Sequence, residues 1–335
     1  MKNILFEHQD LDKLISLKDY SGAAKLLLEE QKKNWPTLVR NYNFLSNIKV
    51  KIFQFPGFKI KAQYNPGRIK STAAEVDEKS ISERKCFLCS DNLYDEQRGI
   101  KYGNDFFILV NPFPIFLEHF TISHKNHIPQ RIKESLGKML SLSKDLSEYT
   151  IIYNGPECGA SAPDHLHFQA GSKNYLPIID EFYALKNEYG EVLAEKDSHI
   201  VIGVNDGLRR IITIETLEIE TAEKVFDLFY NIYFKISGNK IEPLLNILSL
   251  YEKEYGWRVL IFLREKHRPS HYFEKKRERI LLSPAAVDLG GICILPVEKD
   301  FDKITKEKIK DIFREVNLGK EQFEFIKAEL KKSLK

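Results

Sequence analysis

Five residues near the middle of the chain, His165-Leu166-His167-Phe168-Gln169, alternate polar and apolar with a period of two. On an extended strand that period puts His165, His167 and Gln169 on one face and Leu166 and Phe168 on the other. The apolar pair asks for a core. Three ligand-capable groups in a row on the opposite face are costly to bury unless something binds them. Taken alone, the pattern also fits a solvent-facing strand. The preceding stretch, Asn154-Gly-Pro-Glu-Cys-Gly-Ala-Ser161, argues for a site, because glycines and a hydroxyl let a backbone come close to a phosphate. Of the nine histidines in the 335 residues, five fall between His119 and His167, which concentrates the candidate chemistry in one segment.

The rest of the chain reads as α+β. Apolar spacing predicts helices over the first 48 residues, from Leu11, Leu14 and Ile15, then Ala23, Ala24 and Leu26 to Leu28. Trp35-Pro36 restarts the chain, with Leu38, Tyr42 and Leu45 on one face. Alternation on either side of Pro56-Gly57 predicts a hairpin over 50–64. Short strands fit 106–110, 120–122, 150–153 and 166–170, with helices over 132–146 and 176–186. After a polar break near 187–190 the pattern recurs, with strands at 199–204, 209–214, 257–263, 279–282 and 292–295 and helices at 222–236 and 241–254. The tail from Lys303 to Lys335 reads as charged, solvated helix. The expected organisation is an N-terminal helical segment (1–48), a catalytic half built on an antiparallel sheet flanked by helices (49–188), and a second sheet-plus-helix half with C-terminal helices (189–335). The similar content of the two halves raises an old duplication, although no sequence repeat is visible.

A net charge of +3 on 99 charged side chains gives no electrostatic reason to expect nucleic acid or a membrane as the main partner. No apolar run approaches the ~20 residues that span a bilayer, and the N-terminal residues are too polar for a signal peptide. The sequence therefore predicts a soluble, cytoplasmic protein.

In a reducing compartment the four cysteines are not expected to pair. Cys158 and Cys293 read as small buried residues. Cys86-Phe-Leu-Cys89 has the spacing of a metal knuckle, which needs two further ligands to close a tetrahedral site. His127 and His165 are the candidates, with His124 as a substitute. Redox chemistry competes, but Ser90-Asp-Asn-Leu-Tyr reads as a turn rather than the helix of a thioredoxin-like motif.

The run Asn111-Pro-Phe-Pro-Ile-Phe-Leu-Glu-His119-Phe-Thr-Ile-Ser-His124-Lys-Asn-His127 resembles the characteristic stretch of histidine-triad proteins. There an Asn-Pro turn leads to a first histidine, a short strand and Pro-Lys-x-His. His119 matches the first histidine, Lys125-Asn-His127 matches Lys-x-His, and His124 stands where the pattern has proline. His165-Leu-His167-Phe-Gln169 matches the His-x-His-x-Gln form. That form is typical of the branch holding galactose-1-phosphate uridylyltransferase, the diadenosine tetraphosphate phosphorylases and plant GDP-galactose phosphorylase. Gln63-Tyr-Asn65-Pro-Gly-Arg68 is similar to a Gln-x-Asn-x-Gly-Arg stretch of the last of these. The whole run from Gln63 to Gln169 also resembles a related bacterial family common in Bacteroidetes, as do Arg264-Glu-Lys-His267-Arg268-Pro and Ser283-Pro-Ala-Ala-Val-Asp-Leu-Gly-Gly.

The resemblance implies a histidine-triad-like fold, with the second half a degenerate repeat. It also implies a nucleotidyltransferase or phosphorylase acting on a nucleoside diphosphate sugar or dinucleoside polyphosphate. His167 would be the nucleophile, carrying the nucleotide covalently until a phosphate or sugar-phosphate acceptor takes it. Gln169 and Ser161 would donate to phosphate oxygens, and Arg68 would pair with phosphate, unless it is a surface arginine in a turn. Asn65 and Asn154 complete the expected substrate-facing set in the first half. Arg264, His267 and Arg268 would hold the other substrate's phosphate, against the alternative of a solvated loop. A structural Zn2+ would sit on Cys86, Cys89, His127 and His165. Two such halves in one chain favour a monomer, and the plant relative tilts the base toward guanine. The rivals are a nucleotide or phosphoramidate hydrolase and a non-catalytic nucleotide-binding protein.

Overall fold

The computed structural model describes residues 4–69, 78–196, 198–275 and 277–335. Thirteen strands run in chain order as β1 (Lys49–Phe55), β2 (Phe58–Tyr64), β3 (Gly99–Tyr102), β4 (Phe106–Val110), β5 (His119–His124), β6 (Tyr149–Asn154), β7 (His167–Ser172), β8 (Gly190–Lys196), β9 (His199–Asn205), β10 (Arg210–Thr216), β11 (Leu245–Glu252), β12 (Gly256–Leu263) and β13 (Ile292–Leu295). Ten of them form one sheet in the order β3-β4-β5-β7-β6-β11-β12-β10-β9-β8, antiparallel at every pairing. Counted from either edge, the chain order within each half is the same: first, second, third, fifth, fourth. In each half one long helix joins the third and fourth strands, Leu136–Asp145 in the first and Ile219–Ser237 in the second. The halves meet where β6 pairs antiparallel with β11.

The sheet is covered on both faces. On one side Phe120, Ile122, Leu166, Phe168, Ile151 and Tyr153 join the N-terminal helices, the two crossover helices and the last helix, Lys320–Ser333, in one apolar cluster. On the other side Ile152, Leu248, Leu260 and Phe262 pack under a second layer that contains the small sheet β1-β2-β13. β13 comes from the far end of the chain and runs parallel to β2, so the hairpin of the first half is closed by a strand of the second. On this side of the sheet Thr121 of β5 and His167 and Gln169 of β7 line a cavity.

Two sequence expectations fail. Residues 241–254 are not a helix but hold the central strand β11. A strand covered on both faces reads as a near-continuous apolar run, and periodicity cannot separate that from a buried helix. Residues 279–282 form no strand, although Ile280, Leu281 and Leu282 are all buried. Their backbone donors are met locally instead: Ile280 N–H donates to His271 O at 3.0 Å and Leu281 N–H to an Asp300 carboxylate oxygen at 2.9 Å. The edge strands β3 and β8 were not expected, and β8 begins inside the polar break. The helix expected over 176–186 is two short ones, Pro177–Asp180 and Phe182–Tyr189.

Glu242 ties the halves together from within. Its carboxylate accepts from Ile132 N–H at 2.8 Å and from the Tyr153 hydroxyl at 2.7 Å, both in the first half. Burial outweighs those bonds and pushes its pKa from 4.5 up to about 7. The folded state then binds the proton more tightly than the unfolded chain does. That contribution is fully present below 4.5 and is lost as pH rises to about 7. The unfolding free energy of the wild type relative to Glu242→Gln is expected to decline by a few kcal/mol (roughly 1.4 per pKa unit) across that window in denaturant titrations. A flat or rising difference would contradict the assignment.

Candidate active site

The start of β7 is fixed by backbone clamps. Gln130, buried beside it, accepts from His167 N–H at 2.8 Å, and its amide nitrogen donates to His167 O and Asn154 O, both at 3.0 Å. The His167 ring is set from the other direction. Its Nδ1 lies 2.8 Å from the carbonyl oxygen of His165, which can only accept, so Nδ1 carries the proton and Nε2 keeps the lone pair. Nε2 has no hydrogen-bond partner among the described residues, and the side chain lines a cavity of about 600 Å³. Burial lowers the pKa of His167 to about 4, opposed by the bond to His165, so the ring is neutral at pH 7.

Gln169 lines the same cavity, as the two-residue period requires. Its Oε1 lies 2.9 Å from Nε2 of His119. Burial beside Arg68 holds His119 down to about 3. The cavity walls are Phe87, Leu88, Leu93, Tyr94, Leu109 and Phe113, with polar groups from Asn92, Asp95, Asn111 and Thr121. A second, smaller cavity of about 70 Å³ lies against the first, and Arg68, Ser161 and Gln169 line both. Its other walls come from Asn154, Gly159 and Ala160, and from His267, Arg268, Ser283 and Asp288 of the second half. Arg68 donates to Phe113 O at 2.6 Å, and burial lowers its pKa only to about 10, so it remains a cation.

His165 sits just before β7, outside the ladder, and turns away from the cavity. Its Nδ1 is 3.3 Å from Cys86 Sγ and 3.6 Å from Cys89 Sγ, and Cys89 Sγ is 3.3 Å from His127 Nδ1. Those three separations match the edges, about 3.3–3.8 Å, of a tetrahedral site with bonds of about 2.0–2.3 Å, and all four ligand atoms lie within 4.8 Å of one another. Burial and the neighbouring Cys86 push the Cys89 thiol up to about 11, so a thiolate pair there calls for a cation. His165 Nε2 is 2.7 Å from His124 O, which orients the ring. His127 Nε2 lies 3.5 Å from Asp164, which Arg84 engages at 2.5 Å. The group can hold a metal ion. His127, not His124, completes it, because the His124 ring bonds Asn126 locally.

Two expected site residues are elsewhere. Arg264 is fully buried, and its guanidinium donates to Val316 O, Asn246 Oδ1, Pro284 O, Lys266 O and His267 O. Five N–H donors meet five protein acceptors, leaving none for a phosphate. Asn65 is buried and donates to Pro114 O, away from both cavities. Asn154 does reach the small cavity, but its Oδ1 is taken by Asn246 and by Ala286 N–H, each at 2.9 Å. His267 and Arg268 line the small cavity as expected. Gln130 and Asp288 were given no role from the sequence. Asp288, whose carboxylate accepts from the Ala285 and Ile294 N–H groups, is pushed up to about 6 by burial.

Residues 27–172 match the family described as domain of unknown function DUF4922, and residues 208–335 match the family described as GDPGP1-like, C-terminal domain. Among solved structures, yeast Ap4A phosphorylase Apa2 superposes with a TM-score of 0.56 at 13% identity, covering 84% of this chain and 97% of that one. Its complex with Ap4A gives 0.55 at 13% identity, covering 93% and 99%. The chain shares the fold of that phosphorylase. No curated protein matches the sequence. Within this fold the strand corresponding to β7 in the second half is β12, which carries Leu260 and Phe262 on the face where β7 carries His167 and Gln169. One half alone holds the polar pair.

Replacing both Cys86 and Cys89 by serine is expected to remove bound metal, read by elemental analysis, and to lower the melting temperature by roughly 10 °C. A folded double variant that retains one metal per chain would contradict the assignment.

Proposed function

We propose that the protein is a nucleotidyltransferase or phosphorylase that cleaves a nucleoside diphosphate sugar or dinucleoside polyphosphate through a nucleotidyl-His167 intermediate. One observation carries this reading: a neutral imidazole, proton fixed on Nδ1, aims a free Nε2 lone pair into a cavity beside an amide and a cation. The larger cavity is within the ~300–1,000 Å³ range of small-molecule sites and has the apolar walls a nucleoside needs. The smaller one, at ~10–15 Å³ per water-sized position, has room for an oxyanion and little more. The reacting phosphate then lies at their junction, against Arg68, Ser161 and Gln169.

In the first displacement the Nε2 lone pair forms a bond to the α-phosphorus, and the bond from phosphorus to the leaving phosphate oxygen breaks. The ring becomes cationic, and the Nδ1–H bond to His165 O stabilises it. In the second, an oxygen of the acceptor phosphate bonds the same phosphorus and the N–P bond breaks, returning the pair to Nε2. Charge on the phosphoryl oxygens persists throughout, so donors rather than acids serve it: the Gln169 amide, the Ser161 hydroxyl and Arg68. His267 and Arg268 face the leaving and incoming phosphate.

We read the metal as zinc, since two thiolates and two imidazoles in tetrahedral array suit it. Zinc bound by four protein ligands would supply structure and no open coordination position. We also read the second half as a degenerate repeat, and the chain as a monomer whose ten-stranded sheet contains both halves.

Incubation with α-labelled GTP, ATP, UDP-glucose, GDP-hexose and diadenosine tetraphosphate is expected to give acid-labile, base-stable label on the protein that chases with phosphate acceptors. His167→Ala should abolish it, a loss of at least about 10³-fold. Label that decays in buffer would mean a hydrolase, and binding without label a sensor. Labelling that survives His167→Ala would place the nucleophile elsewhere.

A further inference from the structure

Nucleotidyl transfer as written gives His119 no task, yet the ring is buried against the site and makes two bonds whose directions are fixed. In the β5–β7 ladder His119 pairs with Gly171 and Thr121 with Gln169, so the imidazole lies diagonally across from the Gln169 side chain on the same face. Gly171 leaves room there, because a Cβ at that position would come within 2.4 Å of Phe116. Phe116 in turn stands edge-on to the imidazole at 5.0 Å. The ring is held in one orientation.

Ile115 N–H donates to His119 Nδ1 at 3.1 Å. A backbone N–H can only donate, so Nδ1 must be the lone pair and the single proton must be on Nε2. A ring protonated on both nitrogens would set two N–H groups against each other. Nε2–H therefore donates to Gln169 at 2.9 Å, and the amide can receive it only through Oε1. With its oxygen engaged, the amide has its NH2 left over on a side chain that lines both cavities, and that nitrogen has no acceptor among the described residues. A flipped amide would set its oxygen against the oxygens of a phosphate.

We propose that His119 is a positioning residue: the Ile115 backbone sets its tautomer, and the tautomer keys Gln169 so that NH2 meets the reacting phosphate. This rests on the transfer reading of the same site. Imidazole suits the task because it accepts on one ring atom and donates from another across a rigid plane.

Two conservative variants separate this role from simple packing. In His119→Gln the amide nitrogen reaches where the Nε2–H stood, preserving the donor to Gln169 while losing the Ile115 bond. In His119→Asn the amide oxygen replaces Nδ1, preserving the Ile115 bond, but the donor stops short of Gln169. The readout is the single-turnover rate of labelling with the first of the five α-labelled nucleotides above that labels the wild type. His119→Gln is expected to stay within a few-fold of wild type and His119→Asn to fall by about 10²-fold, the loss typical of one oxyanion donor. In a Gln169→Ala background His119→Asn should cost nothing further. The reverse order of the two variants, or losses that multiply in that background, would overturn the proposal. A wild type that takes no label defeats the transfer reading alone. Long-range nitrogen–proton NMR of the His119 ring at pH 7 then decides: an Nε2-protonated ring supports the proposal, and an Nδ1-protonated or doubly protonated ring overturns it.

Discussion

The site is organised by one hydrogen bond, from His167 Nδ1–H to the carbonyl oxygen of His165. It fixes the nucleophile's tautomer and turns Nε2 to the cavity, and its acceptor belongs to a residue whose own ring faces Cys86 and Cys89. Two histidines separated by one leucine thus have opposed duties. The first is held by His124 O with its ring against the two cysteines, and the second borrows that immobility through the backbone. Gln130 closes the arrangement from below by satisfying both backbone groups of His167. An imidazole held this way loses little orientational freedom when a phosphate arrives, which is where positioned groups gain their advantage.

The second half reaches the site through loops rather than through its sheet. Arg264 gathers the end of β12, the start of β11, the 266–267 turn, Pro284 and the end of the helix Lys306–Val316 onto one guanidinium. Asn246, bonded to it, donates in turn to Asn154 Oδ1 and to Cys158 O in the glycine-containing loop that carries Ser161. The cationic residue that does not touch the cavity therefore holds together the segments that do. A fully buried charge is tolerated there because every donor has an acceptor.

Much of the site was legible because its chemistry depends on short spacing. The two-residue alternation placed His167 and Gln169 on one face, though it put His165 there too, and the resemblance pointed to Cys86, Cys89, His127 and His165, which the fold brings together. Residues that act by reaching across the fold were not legible. Arg264 and Arg268 look alike in the sequence, and only burial separates the scaffold from the cavity wall. Gln130 follows a proline in a polar stretch, and nothing local announces that it clamps β7. The fold was legible in most strands: the hairpin at Pro56-Gly57, β5 and β7 fall where alternation put them, and so do β6 and β12, which are buried along their whole length. It was misread at β11, which is covered on both faces, and at the edge strands β3 and β8, whose short or charged sequences give little period to read.

The central claim is geometric and can be measured without turnover. A crystal structure with bound AMP or GMP should place the phosphorus about 3–3.5 Å from His167 Nε2. The Gln169 amide nitrogen and Arg68 should engage its oxygens, with the base between Phe87 and the wall formed by Leu109 and Phe113. A nucleotide bound away from β7, or a His167 ring turned so that Nδ1 faces the phosphate, would contradict it.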